Sequence, residues 1–352
     1  HSHPIHAVLG VDDTTAVLAA HVAAALKLPH NSVESVSAAR NKARMRELLH
    51  THGVPVPHFV RFSIFDDPVA RAEQVSYPCV LKPLALSASC GVIRANDPTE
   101  FAAAFQRVTA LLHRLGLPKA GEAERRLIVE DFVPGQEVAL EGLLTAGSLR
   151  VLALFDKPDP LDGPFFEETI YVTPSRLTDD VQAGIAACAE HAAAALGLRE
   201  GPIHGELRVN DQGPWIIEMA ARSIGGRCSS TLRFAADLSL EELILRHALR
   251  MDLPPLDRQG GAAGVMMLPI PRGGVLRDIH GQENARAVPG IEEVTITAEL
   301  GDELVPLPEG TRYLGFIIAR SSTPASVEAA LRQAHGRLTF SIEETKAAPG
   351  TT

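Results

Sequence analysis

Two carboxylates and a guanidinium stand close together in the stretch from Gly201 to Arg227: Glu206, Glu218 and Arg222. Between the acids lies Asn210-Asp211-Gln212-Gly213-Pro214, residue types that favour a turn, with strand-like segments on either side. In the hairpin this predicts, alternate residues share a face, so Glu206, Arg208 and Asn210 fall together and Glu218 is expected opposite Glu206. Two carboxylates held side by side repel unless a positive charge separates them. A hard divalent cation such as Mg2+ takes oxygen ligands and would do so. Gly225-Gly226, just beyond Arg222, lets the backbone approach a ligand. The same residues also suit a surface hairpin with two solvated acids.

The whole chain narrows the classes. At 352 residues it is expected to form two or three packed subdomains. A net charge of −10 gives no basic footprint for nucleic acid or an anionic membrane. Cys79, Cys90, Cys188 and Cys228 show no CxxC or zinc spacing, which points to free thiols in a reducing, cytoplasmic setting. No apolar run is long enough for a bilayer and nothing resembles a signal peptide.

The elements that must position these groups follow in order. Ala7–Val11 reads as a buried strand and 14–26 as a helix, the end of an N-terminal α/β unit expected to lack upstream residues. A helix over 37–52 carries Asn41, Lys42, Arg44 and Arg46, and Gly53, Pro55 and Pro57 end it. Residues 77–83 form a strand with Lys82 in an apolar run, costly without an anion to pair with. Ser87 to Val92 is a loop of small residues, whose backbone N–H groups can close over phosphate oxygens, although Gly91 is its one glycine. After a helix over 99–115, residues 127–138 read as strand, Pro134-Gly135 turn and strand. Backbone groups in such a crossover can meet a purine edge; the plainer alternative leaves Glu130 and Glu137 exposed. A rigid acidic loop over 155–164 leads into a strand-like run holding Glu168 and Tyr171. Thr178 is expected to cap a helix that ends near Leu196, and a further helix spans 238–251. Strands at 264–271, 294–297 and 312–320 and a helix at 324–335 read as a separate α+β subdomain, with Met266-Met267 as core and the tail from Glu343 frayed. The fold class is α+β, α/β in part, with boundaries at 1–36, 37–135, 136–258 and 259–352.

Taken in order, these pieces resemble the ATP-grasp superfamily, in particular its L-amino-acid ligase branch, over nearly the whole chain. The resemblance implies an ATP-grasp fold in which Lys42 and Lys82 bind ATP phosphates and Ser87, Ser89 and the backbone to Gly91 cover them. It places Glu130, Phe132 and Val133 at adenine, Glu137 at the ribose and Glu206 and Glu218 on Mg2+, with Mn2+ as a substitute. Arg222 then faces a substrate carboxylate and Glu168 a substrate amino group. Departures are the glycine-poor loop, Ala220 where many relatives carry an asparagine ligand, and Gly225-Gly226 where some dipeptide ligases place a bulky residue.

The implied activity is an ATP-dependent carboxylate–amine ligase working through an acyl phosphate on small molecules, one an amino acid, with a homodimer as the assembly to test because dimers are the commonest oligomers. The alternatives are an ATP-grasp carboxylase or formate-using transferase of purine metabolism, and a silent ATP-binding module. His204 suits the site or a satisfied strand position equally. Cys90 and Cys228 have no base partner in sequence and are not read as nucleophiles.

Overall fold

In the computed structural model, which describes residues 3–84, 86–119 and 121–344, the first regular element is a helix, α1 (Asp13–Ala25). The strand expected over Ala7–Val11 does not form. An apolar run becomes a strand only where another strand takes up its backbone hydrogen bonds, and none lies beside this one among the described residues. Asp12 caps α1 by accepting from the Thr14 and Thr15 N–H groups, and the Thr15 side chain completes the reciprocal bond.

The single helix expected over 37–52 is two, α2 (Val33–Arg40) and α3 (Lys42–Thr51). Asn41 breaks it. Its backbone is extended (φ −92, ψ 105) and its side chain accepts from the Ala43 and Arg44 N–H groups. Lys42 thereby becomes the first residue of α3, and it is buried.

A four-stranded sheet follows, built from β1 (Phe59–Ser63), β2 (Cys79–Pro83), β3 (Ile93–Ala95) and β4 (Arg126–Asp131) in the order β1-β4-β2-β3, with α4 (Pro68–Ala72) and α5 (Pro98–Arg114) between them in sequence. Asp97 caps α5. Phe101, Phe105, Val108 and Leu112 of α5 bury against Leu81, Ile93, Leu127 and Val129.

The remaining chain runs β5 (Gln136–Thr145), β6 (Ser148–Asp156), β7 (Ile170–Thr173), α6 (Asp179–Ala195), β8 (Gly201–Asn210), β9 (Gly213–Ala220), α7 (Leu240–Ala248), β10 (Ala262–Leu268) and β11 (Gly274–His280). It closes with α8 (Gln282–Arg286), β12 (Ile291–Ile296), β13 (Glu303–Leu304), β14 (Gly315–Ser321), α9 (Pro324–His335) and β15 (Thr339–Glu343). Thr178 holds the N-cap position of α6, but its side chain makes no capping bond. Glu168 lies before β7 and outside the strand expected there. Helix α9 has the expected bounds and buries Val327, Ala330, Leu331 and Ala334.

The C-terminal strands β10, β12 and β14 continue the sheet of the preceding strands: β12-β14-β10-β7-β6-β5-β8-β9 is one eight-stranded sheet, joined where Val265 of β10 faces Tyr171 of β7. Only β13-β11-β15 stands apart. Alternation of apolar and polar residues identifies a strand but not its neighbour. Helix α6 covers the other half of this sheet, with Ile185, Ala189 and Ala192 against Leu140, Ile203 and Leu207.

Candidate active site

The β8–β9 hairpin turns through Asp211-Gln212, and its register runs Asn210–Gly213, Arg208–Trp215 and Leu207–Ile216. Continued without interruption, that register would set Ile217 opposite Glu206. A β-bulge intervenes, and Glu206 faces Glu218. The bulged Ile217 carbonyl accepts from Arg46 Nη2 at 2.6 Å. The expected opposition of the two acids therefore holds, through a bulge that Arg46 anchors.

Both acids line a cavity of about 430 Å3 between the two large sheets. Lys42, Lys82, Ser87, Ser89, Glu130, Phe132, Val133, Glu137, Glu168, His204 and Arg222 line it too, so nearly all the residues singled out from sequence meet in one place. Gly91 does not line it: its N–H donates to the Pro308 carbonyl at 2.8 Å, which removes it from the groups able to cover a phosphate.

The side-chain partners refine the expected roles. Lys82 Nζ donates to Glu130 at 2.6 Å, and Arg46 donates to the same carboxylate at 2.7 Å. The Glu130 carboxylate is their shared buried counter-ion. Burial opposes its ionisation, but the charges of Arg46 and Lys82 outweigh that and pull its pKa down to about 2. Burial lowers the Lys82 pKa, with Glu130 opposing. Lys42 donates to the Leu86 carbonyl at 2.8 Å and lies 3.5 Å from Glu218. Phe132 lies under Arg94 and Arg208, whose guanidinium carbons are 4.1 and 4.9 Å from the ring centre. The Val133 N–H finds no hydrogen-bond partner among the described residues, which leaves a donor at the crossover.

Glu137 is buried, not exposed as the plainer reading had it. It accepts from Arg208 at 2.9 Å and from Lys157 at 2.8 Å. Lys157 Nζ also lies 2.5 Å from Glu168 and 3.1 Å from Glu206, so one ammonium gathers three carboxylates whose oxygens lie within 4.8 Å of one another. Burial would lower the Lys157 pKa, and the three acids drive it well above the ordinary value instead. Burial and the Glu206 charge raise Glu168 to about 8, while Glu206, despite burial, is held low by Lys157 and His204.

Lys157, Arg46 and Asp13 were missed in the sequence. Lys157 follows a strand-like run and precedes Pro158-Asp159-Pro160, and a lysine at the buried end of a strand was the available signal. Arg46 has the look of a solvated helix residue but is 1% exposed. Asp13 pairs with Arg222 through Nε at 2.7 Å and Nη2 at 3.2 Å, the two-point geometry a carboxylate ligand would adopt.

The donor set fits a hard divalent cation. Glu206 and Glu218 face each other, keep side-chain exposures of 16% and 27%, and present hard oxygen donors.

Comparison with known proteins agrees with this geometry. Residues 75–231 match the family described as the ATP-grasp domain, and residues 266–343 match L-amino acid ligase C-terminal domain 2. The solved L-amino acid ligase from Bacillus licheniformis superposes with a TM-score of 0.84 at 28% identity, covering 97% of this chain and 82% of that one. Alanine–anticapsin ligase of Bacillus subtilis (strain 168) is 28% identical over 226 residues, which is 60% of this chain and 47% of that protein. The chain thus spans about half the length of that relative. Carboxyaminoimidazole ribonucleotide synthase from Aspergillus clavatus shares the fold alone, with a TM-score of 0.69 at 18% identity over 91% of this chain and 79% of that one. With these matches, the order of its elements and the converging lysines and acids, the chain carries an ATP-grasp domain joined to a C-terminal segment that matches the L-amino acid ligase C-terminal domain.

Proposed function

We propose that this protein joins a carboxylate to an amine at the expense of ATP, with an amino acid as one substrate and ADP, phosphate and an amide as products. The observation that carries the reading is the convergence of Lys42, Lys82, Glu206, Glu218 and Arg222 on one cavity. Phosphoryl transfer demands neutralisation of negative charge and in-line positioning more than covalent help from the protein.

The nucleotide lies with its base at Phe132–Val133, where the free Val133 N–H is a donor for a purine edge, and its ribose toward Glu137. Lys42 and Lys82 hold the phosphates; Lys82 enters the site paired with the Glu130 carboxylate. Ser87 and Ser89 close over them. Glu206 and Glu218 would hold Mg2+, or Mn2+ in its place, which supplies charge neutralisation at the phosphates. Arg222 binds the substrate carboxylate by the same two-point geometry it now gives Asp13, and holds it in line with the γ-phosphate. The carboxylate oxygen takes the phosphoryl group and ADP leaves. The amine must lose a proton to attack the acyl carbon. Glu168 is placed to accept it in its ionised form, with the proton passing into the Glu168–Glu206–Lys157 cluster. Phosphate is the leaving group.

The four cysteines are free thiols, which suits a reducing, cytoplasmic setting, and no helix is long and apolar enough to cross a membrane among the described residues. The deciding experiment is ADP release over pairs of amino acids and small acids, with mass detection of the product. Amide formation that falls by at least about a hundredfold in Glu218→Ala supports the metal assignment; a loss of only severalfold removes it. ADP release with bicarbonate and a nucleotide precursor, and with no amino acid, would favour the carboxylase class instead.

A further inference from the structure

The loop that covers the two lysines is held from the far side of the cavity. Besides the Gly91 N–H bond to Pro308, Arg107 of α5 grips Glu309 with Nε at 2.5 Å and Nη2 at 2.9 Å, and the Cys90 thiol lies 3.9 Å from the Glu309 carbonyl. Three contacts from residues 90, 91 and 107 thus converge on two consecutive residues of the segment between β13 and β14. Gly91 adopts φ +73, and a Cβ there would lie 2.7 Å from Pro83 Cγ, so the turn that aims its N–H at Pro308 requires glycine. The Arg107 guanidinium lies 4.9 Å from the centre of the Phe165 ring, which orients it before it meets Glu309.

The same segment reaches the substrates. Thr311 and Tyr313, two and four residues past Glu309, line the cavity along with Gly225, Gly226 and Arg222. Arg107 is 46% exposed, and an ion pair so placed adds little to global stability. Its effect is local: it fixes where α5 and the segment meet, beside the contacts that Gly91 and Cys90 of the loop make with the same segment.

We propose that the Arg107–Glu309 pair is a latch through which segment 306–313 holds loop 87–91 shut over the phosphates while Thr311 and Tyr313 sense the amine substrate. Both are positioning residues, and the inference rests on the ligase reading above. An acyl phosphate exposed to water is hydrolysed: water attacks, the free carboxylate and phosphate are released, and ADP has been formed without amide. A closed loop tied to an occupied acceptor pocket prevents that loss.

Cys90 reports the state of the latch without any substrate, because it is 2% exposed beneath Glu309. Its alkylation by a small maleimide, mapped by mass spectrometry, is compared in the whole protein for wild type, Glu309→Ala, Glu309→Gln and the reversal Arg107→Glu/Glu309→Arg. Release of the latch accelerates Cys90 by about tenfold in Glu309→Ala, leaves buried Cys228 and Cys79 at their wild-type rates, and is reversed in the double variant. An unchanged Cys90 rate, acceleration spread equally over Cys228 and Cys79, or a double variant as reactive as Glu309→Ala would each overturn the proposal. Where ligation is measurable, the ratio of ADP to amide rises in Glu309→Ala and returns toward wild type in the reversal. A Cys90 that is freed with no change in that ratio overturns the coupling. Absence of ligation in the wild type speaks against the ligase reading and leaves the alkylation result to stand by itself.

Discussion

Arg46 donates at 2.6 Å to the carbonyl of Ile217, the residue that bulges from β9 between Ile216 and Glu218. One buried guanidinium therefore serves two ends of the site. It fixes the bulge that turns Glu218 toward Glu206, and through Glu130 it holds the charge that compensates Lys82.

Arg46→Met removes both contacts. Glu130 keeps Lys82 but loses its other buried cation, and breaking a buried pair on one side costs about 3–5 kcal/mol. Urea denaturation is expected to show a loss of that order. The Lys82–Glu130 pair alone limits it to the lower end.

Glu141 gives a pH signature. It is fully buried in β5, accepts from the Ile224 N–H at 2.8 Å, and its other oxygen has no partner. Burial raises its pKa well above the ordinary value; Arg222 opposes and Glu241 reinforces the shift. The folded protein thus keeps a proton that the unfolded chain releases from about pH 4.3 upward. Stability present at low pH is lost as pH rises through that window toward the raised value, at up to about 1.4 kcal/mol per pH unit. Glu141→Gln cannot titrate, so its melting temperature should fall less than that of the wild type between pH 5 and 8. Parallel curves would count against a buried protonated acid.

The two glycines after Arg222 are not equivalent. A Cβ at Gly226, where φ is +62, would lie 2.6 Å from the Met267 sulfur, whereas a Cβ at Gly225 meets nothing within 4 Å. Gly226→Ala is expected to destabilise the fold. Gly225→Phe is expected to fold and to project into the cavity, raising KM for large amine or carboxylate substrates by about tenfold or more while KM for ATP is unchanged, since lost apolar burial is worth about that much. Steady-state kinetics over substrates of graded size separate the two parameters.

In the proposed reaction Asp13, which pairs with Arg222, competes with the substrate carboxylate for it. Asp13→Asn leaves the guanidinium with a neutral partner, and KM for the carboxylate substrate should fall by severalfold, with KM for ATP constant. A rise in that KM would show that Asp13 is needed to aim the arginine.

Much of the site was legible because its chemistry sits in short, local patterns. The turn residues at 210–214 dictate a hairpin, Lys82 in an apolar strand demands an anion, and α9 follows from its own periodicity. These depend on neighbours a few residues away. Charge compensation does not. Which acid meets Lys82, that Lys157 gathers Glu137, Glu168 and Glu206, that Asp13 meets Arg222 across 209 residues, and that β10 joins β7 are decided by tertiary packing. A buried charge needs a partner wherever the fold supplies one, and a strand edge needs a ladder, but neither requirement names the partner. The sequence by itself determined that a nucleotide, a hard cation and a carboxylate have suitable residues here; only the folded chain decided which of those residues face the cavity and which hold them in place, because burial sets the cost that each pairing must offset.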